Sequence, residues 1–287
     1  MDKQGSGRSV RTLAIFVGAA ISGLVAGYLL WGRAVDWYAV PDVVKLKESP
    51  ENDLIRYGHA LIVDTAGQIG KNAKDADKRY AGNDLSCVNC HLNAGLQPFA
   101  APFVSTFATF PMMVDDQVIT LTERINGCMR RSMNGKNLPV SGREMEAIIA
   151  YIKYLGHNTP QGVRVRGMGL LTLQDAPAAP DATRGETVYA KLCTSCHMPD
   201  GQGERKASPA AGYSIPPLWG DDSFNAGAGM AKLAYAAAYI RANMPFTINY
   251  EDPVLNLQQA WDVAAFMVSK KRPPAPTETA TEAKLPE

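Results

Sequence analysis

A chain of 287 residues with a formal net charge of +1 has no global field that would favour nucleic acid, so no nucleic-acid partner is expected. Apolar residues make up 46 %, enough to fill about two small cores beyond any leader. That balance excludes a disordered chain and a strongly basic or acidic binding module.

Residues 12 to 32, TLAIFVGAAISGLVAGYLLWG, carry no charge and are long enough as a helix to cross a bilayer. Lys3, Arg8 and Arg11 precede the stretch, which sets the N-terminus in the cytoplasm. Tyr28, Trp31 and Trp37 fall where an outer aromatic belt would lie. A cleaved signal peptide has a shorter apolar region of about 7–15 residues. Residues 1–33 therefore read as an uncleaved anchor in the cytoplasmic membrane, with the body of the chain periplasmic. Gly23 and Gly27 have the small-xxx-small spacing of pairing helices, but in so glycine-rich a span chance explains it.

A polar linker with Pro41 and Pro50 covers residues 34–50, and a first unit covers 51–158. A second linker rich in proline, glycine and alanine spans 159–182, and a second unit spans 183–271. The tail, 272–287, lacks large apolar residues except Leu285 and is expected to be disordered. Strand signals are scarce. Helical periodicity recurs in ENDLIRYGHALIVDT, SGREMEAIIAYIKYLG, RGETVYAKLC, GMAKLAYAAAYIRANM and LNLQQAWDVAAFMVSKK. Each unit carries one Cys-x-x-Cys-His motif, at Cys87–His91 and at Cys193–His197, so the fold class is all-α, two cytochrome-c-like units in tandem behind a transmembrane helix.

Four of the five cysteines support that description. Cys87-Val88-Asn89-Cys90-His91 and Cys193-Thr194-Ser195-Cys196-His197 are two copies of C-x-x-C-H, the signature of c-type haem attachment. Two thiols one helical turn apart each add across a vinyl group, and the adjacent histidine becomes the proximal iron ligand. A thioredoxin-type pair needs no histidine and would rarely occur twice. A four-cysteine zinc site would want the pairs roughly 15–20 residues apart. Two of only four histidines close these motifs, and His59 and His157 read as surface or packing residues.

Each iron needs a sixth ligand or an open position. In the second unit the candidate is Met244 in IRANMPF, where Pro245 ends the preceding helix. Met198 adjoins the proximal histidine and cannot reach the far face, and Met230 and Met267 lie inside helical patterns. In the first unit the comparable position is Cys128, on one stripe with Leu121, Ile125 and Ser132. Gly127 removes a side chain beside it, room for a flat macrocycle. Arg124, Arg130 and Arg131 border the stripe and would favour a thiolate over a thiol. The alternative is a buried structural cysteine, with Met112, Met113, Met129 or Met133 as ligand.

The stretches CVNCHLNAG, TLTERINGCMRRSMNGKNLP, Gly185…Tyr189…Cys193, PPLWGDDSFNAGAGMAKL and NMP carry a resemblance that covers almost the whole chain beyond the anchor. The chain resembles the dihaem thiosulfate dehydrogenases, also called tetrathionate reductases. The resemblance implies His91/Cys128 ligation at the first haem and His197/Met244 ligation at the second. Some relatives carry a competing lysine before the methionine; here that position is Asn243. The substrate-binding arginine and serine of the family match Arg124 and Ser132, and Arg131 lies beside them. Relatives commonly show a tyrosine and a basic residue soon after a Phe-Pro step, whereas this chain reads Phe110-Pro111-Met112-Met113-Val114-Asp115-Asp116.

The implied reaction joins two thiosulfate dianions into tetrathionate while removing two electrons, or runs in reverse. Fixed guanidinium groups lower the repulsion between like charges. The Cys128 thiolate would also leave the iron and bind a substrate sulfur during turnover. Thiolate ligation holds the first haem at low potential and methionine raises the second, so electrons pass from substrate through both haems to a cytochrome c or other redox partner. Two other readings are a purely electron-transferring dihaem cytochrome and a sulfur-carrying cytochrome subunit similar to the large Sox subunit. On either reading the two motifs predict a mass increase of two haem groups that survives denaturation. A single haem, or zinc in place of haem, contradicts the motif assignment.

Overall fold

Ser49 opens the first long helix, α1 (Pro50–Val63), by accepting from Asn52 N at 3.1 Å, with Pro50 in the first turn and Glu51 and Asp53 at the positive end of the dipole. Thr120 and Glu123 form a reciprocal capping box for α2 (Leu121–Arg131). The lobe closes with α3 (Arg143–Leu155). In the second lobe Asp181 caps α4 (Ala182–Leu192), α5 (Leu233–Asn243) follows a long loop, and Asn256 and Gln259 box the start of α6 (Leu257–Ser269). Short hairpins pair β1 (Met112–Val114) with β2 (Gln117–Ile119) and β3 (Glu204–Arg205) with β4 (Tyr213–Ile215), all antiparallel.

This computed structural model describes residues 36–276 except 115, 209–211, 247 and 249. The chain forms two units, Met1–Ala39 and Val40–Glu287. The expected membrane span at residues 12 to 32 lies outside the described residues, among which no helix is long and apolar enough to cross a membrane.

Each lobe is built on a crossing of its first helix with its last, α1 on α3 and α4 on α6. Both crossings pivot on a glycine. A Cβ at Gly58 would meet the Ala147 carbonyl, and one at Gly185 would meet the Asp262 carbonyl. The backbones touch where other residues would hold them apart. Leu61, Ile62, Met145, Ile148, Tyr151 and Ile152 fill the first crossing, and Tyr189, Val263 and Phe266 the second.

The lobes are not beads on a tether. Phe224, Ala228, Ala236, Ala237 and Met267 of the second lobe belong to the same continuous core as Leu61 and Tyr151 of the first. An ion cluster around the buried Asp84 joins them as well. Lys71 lies 3.3 Å from Asp84 and 2.7 Å from Asp222, and Arg205 reaches Asp84 at 2.9 Å and also Asp222. Burial pushes the Asp222 carboxyl up, but the hydrogen bonds from Lys71 and Tyr213 and the charges of Lys71 and Arg205 outweigh it and hold it below its usual range. A depressed carboxylate stabilises above its unfolded value and loses that contribution as pH falls through the folded one, so this link weakens only in acid.

The linkers depart from expectation in the same sense. Val43 is buried in the core, and Tyr154 donates to Pro41 O at 2.6 Å. Between the lobes, Gly167 and Gly169 carbonyls accept from Phe99 N and Ala101 N, and further along Gln174 O accepts from Trp261 Nε1. The stretch is a strap laid over both lobes. The tail expected to be disordered from residue 272 is ordered at its start: Pro273 O accepts from Ala226 N at 2.9 Å, and the Arg272 guanidinium lies over Phe224. Residues 277–287 lie outside the described residues.

Gly58→Ala should lower stability by about 1–3 kcal/mol, because a backbone carbonyl cannot retreat as a side chain can. The check is the urea midpoint of the haem-loaded protein; an unchanged midpoint would show that the helices do not meet at this glycine.

Candidate functional site

Cys87 follows Ser86 into a turn of 3-10 helix, Cys87–Asn89, where Cys87 N donates to Thr65 Oγ1 at 3.0 Å. His91 closes that turn, and its Nδ1 lies 2.7 Å from Ala101 O. A carbonyl can only accept, so Nδ1 carries the proton and Nε2 is left with a free lone pair for a metal. Phe103 backs the ring at 4.5 Å between centroids. Burial holds the imidazole below its usual pKa, opposed by the Ala101 hydrogen bond and reinforced by the charge of Arg124. The second lobe repeats the arrangement: Cys193 ends α4, and His197 Nδ1 lies 3.2 Å from Pro216 O.

Opposite the first histidine stands α2. Its Leu121 and Met129 are buried, while Ile125 and Cys128 are half-buried on the stripe that the periodicity implied, and Ser132 caps the end. Burial pushes the Cys87 thiol up to about 11 against the Thr65 hydrogen bond, with Cys128 adding to the rise. The Cys90 thiol is pushed up to about 12 by burial and then by Cys128. The fifth cysteine therefore borders the other two of its lobe. Met129 and Met133, at 2 % and 4 % exposure, belong to the core, and Met113 on β1 is exposed. Cys128 is the half-buried sulfur of this helix, within electrostatic reach of Cys87 and Cys90.

The arginines separate. Arg124 is exposed and has no carboxylate partner among the described residues, and it lies one helical turn before Cys128. Arg131 donates from Nε to Gly127 O at 3.2 Å, and its guanidinium fills the space that a side chain at Gly127 would need. Arg130 is turned away, bound to Asn137 Oδ1 at 2.7 Å. The Phe110-Pro111 step leads into the β1–β2 hairpin, whose Met113 and Val118 are exposed, with no cation.

Met244 follows α5 directly, in extended backbone, at the position the sequence indicated. Two residues on α5 were missed. Tyr239 and Asn243 share one face of the helix and are buried, yet the Tyr239 hydroxyl and Asn243 Oδ1 have no hydrogen-bond partner among the described residues. Tyr239 is also the electrostatic neighbour of Cys90, so this face looks into the first lobe. No sequence signal distinguishes them from the rest of an alanine-rich helix. His59 packs edge-on against Tyr151, and His157 stacks on Tyr154, as bland readings require.

These residues fit two c-type haems. All five cysteines are free thiols, both motif histidines have Nδ1 committed to a carbonyl, and a sulfur side chain stands ready in each lobe. Among the described residues no three His, Cys, Asp or Glu side chains cluster to hold a bare ion.

Comparison with known proteins agrees. The profile described as SoxA/TsdA, cytochrome c domain, matches residues 74–160, and that for cytochrome c matches residues 182–271. The thiosulfate dehydrogenase of Thiomonas intermedia (strain K12) is 38 % identical over 232 residues, covering 79 % of this chain and 69 % of the relative. That of Allochromatium vinosum is 35 % identical over 240 residues, covering 82 % and 84 %. The solved thiosulfate dehydrogenase (TsdBA) of Marichromatium purpuratum superposes with a TM-score of 0.73 at 32 % identity, over 85 % of this chain, which spans about half (51 %) of that longer chain. With two tandem cytochrome c domains for two c-type haems and relatives of this similarity, the chain belongs to the thiosulfate dehydrogenase/tetrathionate reductase family of dihaem c-type cytochromes.

Proposed function

We propose that this chain oxidises thiosulfate to tetrathionate, or runs the reverse reduction, at a cysteine-ligated haem in its first lobe and passes electrons through the second. The observation that carries this reading is the α2 face on which Arg124, Cys128 and Ser132 lie one turn apart. Cys87 and Cys90 would hold the first haem, with His91 and Cys128 as axial ligands. Cys193 and Cys196 would hold the second, with His197 and Met244. When bound, the haems accept electrons singly, thiolate favouring a low potential in the first and methionine a higher one in the second.

The chain supplies the rest. Arg124 and Arg131 hold the sulfonate oxygens of thiosulfate, and the Ser132 hydroxyl donates to the same anion. The Cys128 thiolate forms a sulfur–sulfur bond to the outer sulfur of thiosulfate with loss of two electrons. A second thiosulfate attacks that bond, releasing tetrathionate and restoring the thiolate. The electrons leave to a cytochrome c or other redox partner.

Cys128→Met should raise the potential of the first haem and lower thiosulfate turnover by roughly 100-fold or more, while both haems remain attached and reducible by dithionite. Arg124→Ala should raise KM about 10-fold, the loss of one charge-assisted contact of ~1.4 kcal/mol, with the haem spectrum unchanged. A spectroelectrochemical titration and assays with thiosulfate plus ferricyanide, then tetrathionate plus a reduced dye, check both. Wild-type protein inactive in both directions would instead favour a purely electron-transferring cytochrome. An unshifted first haem in Cys128→Met would return Cys128 to the role of a structural thiol.

We also propose that residues 1–33 anchor the chain in the cytoplasmic membrane with the haem lobes periplasmic. The uncharged run at 12 to 32 and the basic residues before it support this. Extraction should need detergent and leave Met1 to Arg33 on the mature chain. A soluble protein lacking the N-terminal peptide by mass spectrometry contradicts the anchor.

A further inference from the structure

His91 and Met244 belong to different lobes, yet few atoms separate the groups that orient them. Asn243, the last residue of α5 and the neighbour of Met244, is only 3 % exposed. Its Nδ2 donates to Tyr239 O at 3.0 Å in its own helix and to Phe99 O at 3.2 Å in the first lobe. Both acceptors are carbonyl oxygens, so the amide has one tenable orientation: reversed, Oδ1 would face two oxygens. Two residues beyond Phe99, Ala101 O receives the His91 imidazole at 2.7 Å.

Two of the three residues from Phe99 to Ala101 are held against their preference. Phe99 has φ 59° and Ala101 has φ 49°, left-handed conformations that non-glycine residues rarely adopt. Phe99 N donates to Gly167 O at 2.7 Å and Ala101 N to Gly169 O at 2.9 Å, so the strap pins the segment from one side while Asn243 pins it from the other. Strain of this kind persists only where the surroundings over-determine it, and it collects at sites under functional constraint. A purely structural staple between lobes would have no need of a strained acceptor that also orients a metal ligand.

We propose that Asn243 is a positioning residue coupling the two haem sites, setting the His91–Ala101 hydrogen bond of the first through Phe99 from the residue that adjoins the axial methionine of the second. This rests on the assignment of His91 and Met244 as ligands. The Nδ1 hydrogen bond of a ligating histidine fixes its ring orientation and raises its basicity, and loss of such a partner typically changes metal-site properties by about 10–100-fold. Without the Asn243 amide, the buried Phe99 carbonyl loses its donor and the segment relaxes toward ordinary backbone.

The test uses the full haem-loaded chain and two variants, Asn243→Ala and the isosteric Asn243→Asp, which keeps the volume but removes the donor. In both, the midpoint potential of the first haem should shift, and electron equilibration between the haems after rapid photoreduction should slow by about 10-fold. The charge-transfer band of methionine-ligated ferric haem should persist. Unshifted first-haem potential with unchanged equilibration overturns the proposal, however far thermal stability falls, because a staple alone would lower only stability. Loss of methionine ligation with the first haem unshifted also overturns it, since Asn243 would then act only on its own lobe. The band is read first in the unmodified protein: its absence there would unseat the ligand assignment rather than the coupling.

Discussion

An imidazole offers Nε2 to iron in a fixed direction only when Nδ1 is committed to something rigid. Both motif histidines here meet that requirement with a carbonyl from outside their own turn, Ala101 for His91 and Pro216 for His197. Much else follows from aiming those two carbonyls. In the first lobe the aim requires left-handed backbone at Phe99 and Ala101, which requires the strap residues Gly167 and Gly169 as partners. That explains why a stretch composed like a linker is bound along its length. In the second lobe Leu218 N donates to Gly201 O and ties the Pro216 loop down, with no left-handed residue at its carbonyl. The second lobe places its left-handed residue elsewhere, at Met198 beside His197, so strain at the accepting carbonyl itself belongs to the first site.

The opposite wall obeys a different constraint. The last carbonyls of α2 have no partners within the helix and must find donors elsewhere. They find them on the second lobe: Asn225 Nδ2 donates to Arg130 O at 3.0 Å, and Asn225 N to Arg131 O at 3.2 Å. Asn83 Nδ2 meanwhile bridges Ser132 O at 2.9 Å and Ser223 O at 3.3 Å. The helix that presents Cys128 is thus capped by the lobe that carries Met244. Shared core and shared cap mean that the lobes cannot move apart without loosening the sulfur face of the first site.

Features encoded within a few residues were legible in the chain alone. The two C-x-x-C-H motifs, the Cys128 stripe and Met244 after its helix all rest on spacings shorter than one or two helical turns. What could not be read is long-range. The composition of 159–182 says linker, and nothing local reveals that Phe99 and Trp261 need its carbonyls. Three arginines around one cysteine look equivalent until Asn137 claims Arg130 and the backbone of Gly127 claims Arg131. Arg272 looks like the start of a tail until Phe224 lies beneath it. Tyr239 and Asn243 have ordinary helical spacing, and their importance comes from what lies across the interface.

The hairpin after Phe110-Pro111 carries no basic residue, so the proposed anion site would draw its cations from α2. Two dianions brought to about 4 Å repel by about 4 kcal/mol in water, four times the value for unit charges, and by more where water is excluded. One guanidinium within the same distance of both returns about 2 kcal/mol to each, which offsets the repulsion. Arg124, one turn before Cys128, has no carboxylate partner among the described residues, and the Arg131 guanidinium lies against Gly127, the residue before Cys128. One helix therefore supplies the charge that the coupling needs, without a second arm. Because Arg124 is exposed, its share is screened over a Debye length of about 8–10 Å, so substrate affinity in this chain should fall with ionic strength more steeply than in a relative whose cations enclose the anion from two sides.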